Sequence, residues 1–266
     1  MILASPPTWT LLASVLAVLG YALPALAPQR LGDGQTRRLL WLACGAHALS
    51  LLGGFMPPVR FGFAPALSAT VWLVVLAYLV ESQFYPQLRG RWALGSLGAL
   101  TVVLAWLLPG NPLHVQASPW LPLHWALGLS AYGMFAVAVV HAWLMTRAER
   151  DIRLAHATSG LPLLTLERLT FRFVAAGFVL LSATLLAGLL FGEHLYGATG
   201  SAWRWDHKRV FAVLSWLTFA LLLWGRKRWG WRGRRAVRVL YTGAALLLLS
   251  YVGSRFVMEL MLGRAA

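Results

Sequence analysis

Seven histidines are the one group of metal-ligating side chains present in any number in this chain of 266 residues. Three of them, His114 in NPLHVQASPW, His124 in LPLHWALGLS and His194 in FGEHLYG, stand at the ends of long apolar stretches. Imidazole is a common axial ligand for haem iron, so three histidines converging above a helix bundle could hold such an iron. His47 lies inside another apolar stretch, where an ionisable residue is a functional-site hypothesis by default. Its alternative is a neutral imidazole hydrogen-bonded to a neighbouring helix. His141 follows His124 by 17 residues on the same apolar run, about 25 Å along a helix, so the two cannot share one iron. His141 and His156 are expected to serve structure or solvation. His207, directly after Asp206, is a further candidate for the first group.

The second concentration of chemistry is GSAWRWDHKRV, from Gly200 to Val210. In extended backbone Trp203 and Trp205 share one face, with Arg204 and Asp206 on the other. In a helix the two rings diverge by about 200°, so a flat aromatic platform requires a loop. Gly192, Gly197 and Gly200 make such a loop plausible. The other reading is an aromatic belt, since tryptophans are ordinary anchors where a helix leaves a bilayer; spacing alone leaves both readings open. Asp206 is suited to cap the following helix and so to fix the loop. Arg204, Lys208, Arg209 and Arg60 are available for propionates or phosphates.

The elements that must position these groups are membrane helices. The chain is 59% hydrophobic and 12% charged, with a mean hydropathy of +0.67. A soluble domain of this size needs more surface charge. Apolar runs near the roughly 20 residues that span a bilayer recur along the whole chain. They predict an all-α integral membrane protein of about eight spans: 8–27, 39–57, 65–82, 92–109, 121–146, 171–191, 207–225 and 236–259. The whole of 1–266 reads as a single transmembrane domain, with its longest loop at 147–170. The first span ends in a cleavage-like Ala25-Leu26-Ala27 but has no cationic residue before it, and it is read as a retained helix. The net charge of +15 resides in short loops, which argues for membrane orientation and against nucleic acid as a partner. Alternate loops carry fifteen cations, against five in the others and the tail. That bias puts both termini, the 110–120 loop and the tryptophan loop outside. With the single Cys44 there is no C-x-x-C pair and no C-x-x-C-H haem-attachment site. No activated nucleophile, phosphate loop or paired carboxylates stand out, so neither an enzyme nor a catalytic residue is expected.

The segment WRWDHKRVFAVLSWLTFALLLW is similar to the tryptophan-rich region of the cytochrome c assembly proteins, the CcsA/CcmC-like group. Trp203, Trp205, Asp206, Lys208, Ser215 and Trp216 carry the match. Downstream, GWRGRRAVRVLYTGAALLLLSYVGSRFV resembles that group's loop and final helix, with Tyr251, Gly253 and Phe256. The resemblance is strongest over 188–257. Size and layout resemble the short eight-helix YpjD/HemX-like inner-membrane branch, in which His47, His114, His124 and His194 occupy the characteristic histidine positions.

This resemblance implies haem b handling at the outer face of a bacterial inner membrane. Axial ligands would come from His124, His194, His114 and His47. Trp203 and Trp205 would form the platform, and Asp206, Arg204 and Lys208 would support it or its propionates. The implied partners are membrane lipid and an apocytochrome c or cytochrome assembly protein, and no metal beyond haem iron is implied. The tryptophan motif is reduced, and the final RFVMELMLGRAA lacks the histidine of larger members, which limits the implication to haem contact without synthetase activity. An alternative implied by the branch is a non-enzymatic accessory subunit to a CorB-type magnesium/cobalt transporter. Reporter fusions check the orientation: one after Arg228 is expected to read as cytoplasmic and one at the C-terminus as periplasmic. The reverse pattern would invert the assignment of every loop.

Overall fold

A computed structural model describes residues 7–27, 30–54, 56, 60–85, 91–112, 120–154, 161–192 and 207–257. Among these, eight long helices follow one another: α1 Thr8–Leu26, α2 Asp33–Gly53, α3 Phe63–Phe84, α4 Arg91–Leu107, α5 Leu121–Arg153, α6 Leu163–Leu190, α7 His207–Trp229 and α8 Gly233–Leu248. Helix is the expected state for these sequences, because hydrocarbon offers no water to satisfy backbone N–H and C=O groups. Five of these helices, and α8 taken together with the π-helical Leu249–Gly253 that continues it, are long and apolar enough to cross a bilayer; α4 is apolar but has 17 residues. The protein is a multi-pass membrane protein. The only strands among the described residues are Arg60–Phe61 and Asn111–Pro112, an antiparallel pair in which Arg60 faces Pro112.

Two boundaries differ from the sequence expectation. The expected long loop at 147–170 is mostly helix: α5 runs on to Arg153 and α6 already begins at Leu163, after Pro162 at its N-cap. The early start of α6 is anchored by Glu167, a buried residue whose carboxylate pairs with Arg226 of α7 and lies 3.5 Å from Arg232 Nε. The expected continuous last span is also interrupted. Leu249–Gly253 is π-helical, followed by one α-turn at Ser254–Phe256. At this register change Tyr132 of α5 donates a hydrogen bond to the Leu247 carbonyl and lies 2.7 Å from Ser250 Oγ. Ser250 Oγ donates to the same carbonyl at 2.9 Å. Side-chain partners of this kind stabilise a local break in the i to i−4 ladder.

The chain forms two compact units, one of residues 1–113 with 255–266 and one of residues 114–254. In the first unit α1 packs on α2 and α4, and α3 packs on α4 and α2. Tyr21, fully buried on α1, is the contact point. A Cβ at Gly98 of α4 would stand 2.8 Å from its ring, so α4 approaches closely only because residue 98 has no side chain. In the second unit α5 packs along α6, while α8 packs on α7 and α5. Phe135 of α5 and Phe219 of α7 stack face to face, with centroids 3.7 Å apart and planes 5° from parallel. Two glycines close the stack from either side. A Cβ at Gly177 of α6 would meet Phe135 at 3.1 Å, and one at Gly243 of α8 would meet Phe219 at 2.7 Å.

That four-layer stack joins all four helices of the second unit, so filling it should loosen the unit. Gly243→Val is expected to cost about 1–3 kcal/mol of stability through overpacking. Equilibrium unfolding in mixed micelles measures this, and Phe219→Leu in the same chain should recover part of the loss. Unchanged stability in Gly243→Val would show that the stack is not a constraint.

Candidate functional site

The candidate residues divide between the two units. His47 belongs to the first; His124 and Lys208 belong to the second. His114, His194, Trp203, Arg204, Trp205 and Asp206 lie outside the described residues.

His47 sits in the second half of α2 with no exposed surface. Its Nε2 lies 2.8 Å from Ser68 Oγ of α3, and its Nδ1 lies 3.4 Å from Tyr21 Oη of α1, the long end of a hydrogen bond. The Tyr21 ring meets the imidazole edge-on, with centroids 5.8 Å apart. One turn before His47, the Cys44 carbonyl accepts a 2.9 Å hydrogen bond from Trp72 Nε1 of α3. Ser14 of α1 and Ser50 of α2 lie 2.8 Å apart. An axial ligand needs a ring nitrogen presented to the iron. In this arrangement both nitrogens of His47 face protein hydroxyls, which ties three helices together.

His124 is placed differently. It lies in the first turn of α5, half-buried, with its backbone N–H donating to the Trp120 carbonyl at 3.1 Å. Its imidazole rests against Gly188, near the end of α6, where a Cβ would stand 3.6 Å from His124 Cε1. The imidazole is thus at a helix end, beside the point where the chain leaves α6 toward His194. A ring at that position fits the donor type that haem iron takes. Lys208 stands in the first turn of α7, next to His207. The His207 Nε2 lies 2.9 Å from Ser254 Oγ, which joins the start of α7 to the residue after the π-helical segment. His141 is buried in α5, with Nδ1 2.9 Å from the Val137 carbonyl and its ring stacked on Phe173. Among the described residues, no three His, Cys, Asp or Glu side chains cluster in a way that would hold a metal ion.

The Ser215–Trp216 pair proves to be a pair of helix ties. Ser215 Oγ donates to the Gly243 carbonyl of α8 at 2.8 Å, and Trp216 Nε1 donates to Ser182 Oγ of α6 at 2.8 Å. The Trp216 ring also stacks on Phe178. The GWRGRR turn is organised just as tightly. Gly230 and Gly233 hold φ of +63° and +54°, in the left-handed region where a side chain is strained. Arg226 packs over Phe171 while pairing with Glu167, and Arg235 packs over Trp231.

A cytochrome c assembly protein model matches residues 36–262, nearly the whole chain. The chain belongs to the cytochrome c assembly protein family. The inner membrane protein YpjD of Escherichia coli K12 is 28% identical over 269 residues, covering 96% of this chain and 99% of YpjD. A 28.8 kDa protein in the nifR3-like 5′ region of Azospirillum brasilense is 33% identical over 74% of this chain and 76% of its own length. The cytochrome c biogenesis protein CcsA of Prochlorococcus marinus subsp. pastoris is 26% identical over 72% of this chain and 62% of that protein. No solved structure matches.

Sequence reasoning missed Tyr132, Glu167 and Ser182. Glu167 sat in a stretch read as loop, although a lone carboxylate beside long apolar runs signals a buried pair. The His47–Ser68 contact has a measurable size. His47→Ala and Ser68→Ala should each destabilise the first unit, with a coupling between them of about 1 kcal/mol. A double-mutant cycle by unfolding in mixed micelles reads that coupling, and strictly additive losses would mean the tie contributes nothing.

Proposed function

We propose that this chain works as a single transmembrane domain of the bacterial inner membrane that holds haem b at the outer face and presents it during cytochrome c biogenesis. The observation that carries the reading is the family match over residues 36–262, joined by relatives named for cytochrome c biogenesis. Its ligand set is drawn from the second unit's stretch of chain: His124, His194 and His114. His124 supports this, because it already stands at a helix end beside Gly188. His194 follows the last residue of α6, Leu190, by four positions, a reach of at most roughly 14 Å. His47 acts as a helix tie.

When bound, haem would supply an iron that takes imidazole nitrogen, and His124, His194 and His114 would be the residues to hold it. The rest falls to the chain. Trp203 and Trp205 would offer flat apolar surface, Arg204 and Lys208 would neutralise the propionates, and Asp206, by its position before α7, would serve as its cap. With no C-x-x-C-H site, haem is held without a covalent thioether. The work is binding and orientation, not catalysis. An apocytochrome c or another assembly protein is the natural recipient.

The test is the absorbance spectrum of full-length protein purified in detergent from haem-supplied cells. A Soret band is expected. His124→Ala and His194→Ala should each reduce it at equal protein yield, while His47→Ala should leave occupancy per folded protein unchanged. No Soret band in folded, haem-supplied protein would overturn the proposal.

A further inference from the structure

Within the first unit, a cavity of about 150 Å³ opens between α2, α3 and α4. Its walls are Asp33, Gly34 and Arg37 of α2, Tyr78 and Ser82 of α3, and Arg91 of α4, over a floor formed by Leu40. Arg91 is committed: its Nη2 lies 2.8 Å from Asp33 Oδ1. Arg37 is exposed and makes no ion pair among the described residues. Two guanidinium groups and one carboxylate leave the lining with a net positive charge, and one guanidinium is uncommitted.

The cavity's position narrows what it can take. It lies at the cation-rich end of these helices, next to Arg30, Arg38 and Arg89 in the chain. Trp41, one turn on from Arg37, and Trp92, beside Arg91, are both exposed. Tryptophan next to arginine at a helix end marks the headgroup level of a bilayer. Below that level the helices expose apolar side chains such as Leu42 and Leu97. A polar, cationic cavity at headgroup depth, continuous with an apolar surface, matches a molecule with an anionic head and a hydrocarbon tail. The volume suits a phosphate with a small alcohol and is too small for a tetrapyrrole.

We infer that the cavity lined by Arg37, Arg91, Tyr78 and Ser82 binds the phosphodiester headgroup of an anionic glycerophospholipid from the leaflet at the cation-rich end. Arg37 supplies the free charge-assisted donors and Arg91, oriented by Asp33, the second cation. Ser82, whose hydroxyl donates to the Leu79 carbonyl at 2.8 Å, and Tyr78 complete a polar wall around the two guanidinium groups. Basic pockets between transmembrane helices bind anionic headgroups on the same principle. The lipid would pin the ends of α2, α3 and α4 together. Nothing in this inference depends on haem.

Native mass spectrometry of the full chain tests it, after release from nanodiscs of mixed phosphatidylglycerol and phosphatidylcholine. Retention of one phosphatidylglycerol in clear preference to phosphatidylcholine is expected. Arg37→Gln should lower that retention about fivefold to tenfold, the effect of removing one cation near a charged headgroup. Arg37→Lys should restore much of it. Arg38→Gln, a neighbouring cation outside the cavity lining, should leave it unchanged. Equal retention of the two lipids, or no effect of Arg37→Gln in a normally helical protein, overturns the inference. Millimolar inorganic phosphate displacing the adduct, with no preference among lipids, would assign the cavity to a free anion and overturn the lipid assignment.

Discussion

Helices inside a bilayer gain little by hiding apolar surface from one another, because lipid tails are as apolar as leucine. Everything in this protein depends on the two substitutes for that missing force: close backbone approach and buried polar ties. In the second unit the approach is the Gly177–Phe135–Phe219–Gly243 stack, where bare glycines let four helices share one pair of rings. In the first it is Tyr21 resting on Gly98, with His47 and Ser68 carrying the contact to two more helices. Each unit is thus centred on a small polar and aromatic knot surrounded by leucines that face lipid.

The same constraint explains why polar residues in the spans fall into two kinds. Ser215, Ser182, Trp216 and Tyr132 bond backbone or side chains of neighbouring helices, and they sit in the middle of their helices. His124, Lys208 and Arg37 lie in the first or second turn of theirs, where hydrocarbon gives way to headgroups. Polar groups in the middle of a span must find protein partners. Polar groups at the ends can share their partners with water and headgroups. His47, in contact with Ser68 and Tyr21, is placed like the first kind.

Glu167 and Arg226 show how a charge survives near a membrane. Each alone would be costly to bury. Together with Arg232 and the rings of Phe171 and Trp231, they make a compact turn between α7 and α8 that also fixes the start of α6. The glycines at 230 and 233 permit this turn through their positive φ. The motif GWRGRR therefore reads as architecture: a glycine hinge, an aromatic wall and paired arginines.

The number and order of the helices were legible in the sequence, because apolar length and composition decide what can lie in hydrocarbon; the end of α5, the start of α6 and the break after α8 were not. The motif around Trp203 and Trp216 likewise pointed to the family, since residue type needs no coordinates to be read. What one chain of letters could not decide was partnership. Whether His47 faces a cofactor or Ser68 depends on the rotation of α2 against α1 and α3, which no local pattern encodes. Whether Glu167 belongs to a loop or to a buried ion pair depends on Arg226, 59 residues away. The π-helical segment at Leu249–Gly253 is likewise set by a hydroxyl on another helix, Tyr132. Only tertiary structure brings such pairs together, because their energies come from distances between elements and not from the propensities of either one.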